Sequence, residues 1–79
     1  MTPLWIRNVI SLCAAKGGRI TSEEIANIAA VAKRFAMGAT LVSILKRHKK
    51  VRVEIIGEEM GSNHQMVKVY RVTRRLEIV

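Results

Sequence analysis

The chain has 79 residues and a net charge of +8, from 14 Lys and Arg against 6 acidic side chains; 49% of its residues are hydrophobic. That length makes one domain over 1–79, and so high an apolar fraction excludes a disordered chain. One cysteine excludes an intrachain disulfide, three aromatics are too few for a wide base-stacking platform, and no apolar run is long enough to span a membrane.

In chain order, Thr2-Pro3 reads as a helix start, with Thr2 as cap and Pro3 at the first helical position. Ile6, Val9, Ile10 and Cys13 then follow the spacing of one buried helix face, widened by Trp5 and Leu12. Gly17-Gly18 stops this helix, predicted over about 3–16, because glycine takes a left-handed conformation without steric cost. Arg19-Ile20 has room for a brief strand. Thr21-Ser22-Glu23-Glu24 is a capping box, and it opens a second helix over 22–30 with Ile25, Ile28 and Ala29 inward.

Residues 22–47 contain no proline, and no glycine marks a break near Val31. A single helix of that length would run ~39 Å, too long for so small a domain. The apolar phase restarts at Phe35 and continues through Ala39, Leu41, Val42 and Leu45, so a bend is predicted near 30–32 and a third helix over 33–47.

The period then changes to two. Val51-Arg52-Val53-Glu54-Ile55 and Met66 to Val72 alternate as half-buried strands, predicted over 51–56 and 66–72. Between them, 57–65 reads as a long hairpin loop containing Glu58 and Glu59, and Thr73 to Val79 has no evident strand partner. The expected fold is α+β: three helices followed by a two-stranded β-hairpin, in the order of a winged helix-turn-helix.

The charge is concentrated. From Ile25 to Val53 there are seven basic residues and no acid. On a helical wheel of 33–47, Lys33, Met37, Thr40, Ser43 and Arg47 lie opposite the apolar side. Small and polar residues there let a helix approach base edges. Thr40 and Ser43 suit base or phosphate bonds, Lys33 and Arg34 suit guanine or phosphate, and Met37 suits a thymine methyl. Lys46, Arg47, Lys49, Lys50 and Arg52 cluster at the helix–wing junction and, with Lys68 on the second strand, suit phosphates. The partner expected from this pattern is double-stranded DNA. A regulatory protein or a homodimer are further partner classes, and no membrane is expected.

Catalysis finds no constellation. His48 and His64 are not placed to pair, Cys13 sits in an apolar stretch, no Cys/His set has metal spacing, and no glycine loop cradles a phosphate. No enzyme activity, cofactor or metal is expected. The N-terminus lacks a basic stretch followed by an apolar core, which agrees with a cytoplasmic location.

The chain resembles the CaiF/GrlA family of enterobacterial transcriptional activators over roughly 3–72. The shared features are Pro3-Leu4-Trp5-Ile6, Cys13, Ile20-Thr21 leading to Glu24-Ile25-Ala26, the basic step Lys33-Arg34, the basic cluster after it, and Val67 to Tyr70. The resemblance implies an activator that binds promoter DNA, with a dedicated partner protein in one branch. The chain lacks the extended C-terminal region of some members. A winged-helix protein-interaction module and a binder of structured RNA are the competing readings.

Overall fold

The computed structural model describes residues 2–34 and 36–75, and for Ala39 the backbone alone. Phe35, the Ala39 side chain and the tail 76–79 therefore lie outside the described residues, although the first two were expected on the apolar face of the third helix.

Six elements follow in the order α1 (Leu4–Ala15), β1 (Ile20–Thr21), α2 (Ser22–Val31), α3 (Gly38–Arg47), β2 (Val51–Met60) and β3 (Met66–Arg74). The fold is α+β, with three helices and a three-stranded antiparallel sheet in the order β1-β3-β2. The expected two-stranded sheet gains a third member because Ile20 and Thr21 pair with Tyr70 and Val69.

Helix α1 is capped by Pro3, one residue later than the expected Thr2 cap. It ends at Lys16, after which Gly17 takes φ 75°. The Gly17 and Gly18 N–H groups donate to the carbonyls of Ala14 and Cys13, the paired bonds that close a Schellman turn. Helix α2 opens with the expected capping box: the Thr21 hydroxyl accepts from the Glu24 N–H, and the Glu24 carboxylate accepts from the Thr21 N–H.

The boundary before α3 differs from the expectation. Helix α2 runs to Val31 with Ala32 as its cap, and Lys33 then adopts φ 60°. The Lys33 and Arg34 N–H groups donate to Ala30 and Ala29 carbonyls, so a second Schellman turn is built without glycine. Helix α3 starts only at Gly38, capped by Met37 with no side-chain bond. Lys33 and Arg34 belong to this turn and not to α3. Gly38 fits the close approach of α3 to the start of α2: a Cβ there would meet Ser22 Cβ at 3.0 Å and the Ser22 carbonyl oxygen at 3.2 Å.

The core gathers Trp5, Ile6, Val9 and Cys13 from α1, Ile20 from β1, and Ile25 and Ala29 from α2. Leu41, Val42 and Leu45 of α3 close it against Val51, Tyr70 and Val72 of the sheet. Fully burying one such side chain is worth about 1.5–3 kcal/mol, which is why these positions set the fold of so short a chain. Past β1 the edge of β3 has no strand partner, and α1 supplies one: the Val72 N–H donates to Cys13 Sγ at 3.3 Å, with both groups buried.

The hairpin is longer than its alternating pattern suggested. Strand β2 continues through Gly57, Glu58 and Glu59 to Met60, and β3 continues through Thr73 and Arg74, so only 61–65 forms the turn. One extra residue, Ile56, sits in β2 between the pairs Ile55↔Tyr70 and Gly57↔Val69. This bulge hid the strand from a period-two reading, because an inserted residue inverts the facing of every side chain beyond it.

Candidate nucleic-acid interface

Helix α3 buries Leu41, Val42 and Leu45 and turns Thr40, Ser43, Lys46 and Arg47 to the surface. Its last turn carries Lys46 and Arg47, cations that suit the negative end of the helix dipole. No acid lies in its first turn. Met37, at its N-cap, is exposed.

His48 ends the helix, and its Nδ1 accepts a bond from the Lys50 N–H at 3.3 Å. This orders the tight turn that presents Lys49 and Lys50 before β2 begins. Arg52 follows on β2, exposed, with Nε 3.2 Å from the Glu54 carboxylate. Lys46, Arg47, Lys49, Lys50 and Arg52 are therefore brought together at the junction of α3 and the hairpin.

Two further cations join them that the sequence pattern did not flag. Arg74 pairs in register with Val51, and the Arg75 N–H donates to the Lys50 carbonyl at 2.8 Å. Both side chains are exposed. The extension of β3 past Val72 places them there, and no local signal announced it, because Thr73-Arg74-Arg75 is wholly polar and does not continue the apolar alternation.

Three of the expected contact residues sit apart from this group. Lys33 is exposed but projects from the α2–α3 turn. Arg34 lies over the Trp5 ring, 5.4 Å from its centroid, which ties its guanidinium to α1. Lys68 stands farther along the hairpin, opposite Glu58.

Among the described acids, Glu54 lies beside Arg52 and Glu58 opposite Lys68, and the others are gathered elsewhere. Glu59 contacts Arg19 at 3.5 Å. Glu24 is paired with Lys16. Burial pushes the Glu24 carboxyl up, but the Lys16 ammonium and the bonds from Thr21 outweigh it, so its pKa lies below the ordinary value. Glu23 accepts from the Ser62 N–H at 3.2 Å and from the Ser62 hydroxyl at 2.8 Å. The hairpin tip is thereby fastened to the first turn of α2. Among the described residues, no acid lies on α3 or in the turns that flank it.

No group of His, Cys, Asp or Glu that could hold a metal is found among the described residues, and no described helix is long and apolar enough to cross a membrane. Comparison with protein-family models, with curated proteins and with solved structures returns no match.

Proposed function

We propose that this chain is a sequence-specific regulator of transcription that binds double-stranded DNA as a winged helix-turn-helix, with α3 as its reading helix. The observation that carries this reading is the segregation of charge. The exposed side of α3 presents Thr40 and Ser43, and its C-terminal end meets Lys49, Lys50, Arg52, Arg74 and Arg75, while the acids among the described residues lie at the α2 start and along the hairpin. Small polar groups flanked by cations suit a groove floor bordered by phosphates.

The element order, with a short strand between the first two helices joined to the hairpin, also agrees with a winged helix. The resemblance to CaiF/GrlA activators points to activation at promoters and to action in the cytoplasm. The α2–α3 connection runs from 32 to 37, and Lys33 and Arg34 are reassigned to it; in this reading Lys33 meets the phosphate backbone beside the reading helix.

Selection of bound duplexes from a random pool tests the proposal. The parent protein is expected to enrich one motif, and Thr40→Ala to lower the preference for it with little loss of random-duplex binding. Absence of duplex binding at low salt would instead favour a protein-interaction module, and stronger competition by duplex RNA would favour an RNA binder.

A further inference from the structure

Strand β2 is one edge of the sheet, since the order is β1-β3-β2. It is ten residues long and carries large exposed apolar side chains: Ile55 is 55% exposed, Ile56 39% and Met60 59%, with Met66 opposite Met60 at 58%. A long apolar edge invites pairing with another strand. Its charge pattern is directional. The near end is basic, with Lys49, Lys50 and Arg52, and the far end is acidic, with Glu58 and Glu59.

We propose that β2 pairs antiparallel with β2 of a second copy of this chain, about a two-fold axis between Ile55 and Ile56. Antiparallel pairing brings each acidic end against the partner copy's basic end, whereas parallel pairing would stack like charges.

The bulge selects the register. Before it, Arg52 and Glu54 share a face with Thr73 and Arg71; beyond it, Gly57 and Glu59 share that same face with Val69 and Val67. Facing residues of paired strands must lie on one face of the sheet. Pairing Val51 with Met60 meets this condition along the whole strand, because the parity change falls at the axis. Arg52 then faces Glu59, Val53 faces Glu58, Glu54 faces Gly57, and Ile55 faces Ile56, with no like charges opposed.

The present partners of the two charges do not prevent this. The Arg52–Glu54 and Arg19–Glu59 pairs are exposed, and such pairs contribute little. The proposal does not rest on the DNA reading, although it engages Arg52, which that reading also uses; its test is made on the free protein, so each reading fails separately.

Sedimentation without DNA, over a range of concentrations, tests it. The parent is expected to form a concentration-dependent dimer, and amide exchange across 51–60 to slow as concentration rises. Arg52→Glu and Glu59→Arg should each weaken the dimer roughly tenfold, since each creates two like-charge pairs per dimer. The double variant should restore it. Ile56→Lys, at an exposed position on the axis, should give a folded monomer by circular dichroism. A monomer at every concentration, open-ended oligomers, or a dimer indifferent to these changes would overturn the proposal.

Discussion

Lys33 occupies after α2 the position that Gly17 occupies after α1. Both follow a helix cap, both are left-handed, at φ 60° and 75°, and each donates its N–H to the carbonyl three residues back. Glycine takes this conformation freely, while a residue with a Cβ pays about 1–2 kcal/mol for it. Lys33→Gly is therefore expected to stabilise the fold by roughly 1 kcal/mol in urea unfolding, whereas Lys33→Ala leaves that cost in place. If Lys33 also meets phosphate, both variants weaken DNA binding alike although their stabilities differ. Equal stabilities would contradict the strain.

The Cys13 sulfur stands in for a missing strand partner of Val72. Cys13→Ala leaves a buried N–H unpaired and should cost about 1–3 kcal/mol, before any added cost of the lost volume. Cys13→Ser keeps an acceptor and should lose less. Chemical denaturation of the two variants checks the order, and the reverse order would mean that packing alone sets the role of Cys13.

The Glu23–Ser62 contact holds the hairpin tip against α2. Glu23→Gln weakens both bonds, and as the site is exposed its effect on global stability should stay within about 1 kcal/mol. The local effect should be larger, with faster amide exchange at Ser62 and unchanged exchange in α1. Unchanged exchange at Ser62 would show that the turn holds itself.

Glu24 gives the acid limb of stability. Its folded pKa is depressed, so its contribution is present above the unfolded value, near 4.5, and is lost as pH falls through the folded value. Thermal unfolding from pH 6 down to pH 3 should show a declining midpoint, and Glu24→Gln should flatten that decline. Lys16→Met should flatten it in part, since Lys16 is one of the two groups that hold the carboxylate ionised.

The basic junction makes a quantitative prediction for DNA. With roughly five phosphates contacted, log K should fall against log salt with a slope near −4.5. Changing Lys49 and Lys50 to Ala together should reduce the slope by about 1.8. Arg74→Ala and Arg75→Ala should each reduce it by about 0.9 if the cations added by β3 take part. An unchanged slope in all of these would remove the junction from the interface.

The sequence by itself determined the features that rest on local chemistry. The Thr21–Glu24 box, the stop at Gly17-Gly18, the apolar spacing of Ile6, Val9 and Cys13, and the alternation of 51–55 each encode their element within a few residues. The eleven residues expected to meet DNA are all exposed, ten of them because their charge or polarity gains nothing from burial, while the apolar Met37 is exposed at the N-cap of α3. The tertiary structure decided the rest. A lysine ends α2 where no glycine signalled it, because the paired backbone bonds to the Ala30 and Ala29 carbonyls hold it in a left-handed conformation. The bulge at Ile56 hid the far half of β2, since its paired register appears only when β3 lies beside it. Arg74 and Arg75 joined the basic junction, and Glu23 captured the hairpin tip, by contacts between residues distant in the chain. No local pattern carries such contacts, because only the closure of the core sets which distant groups come within reach.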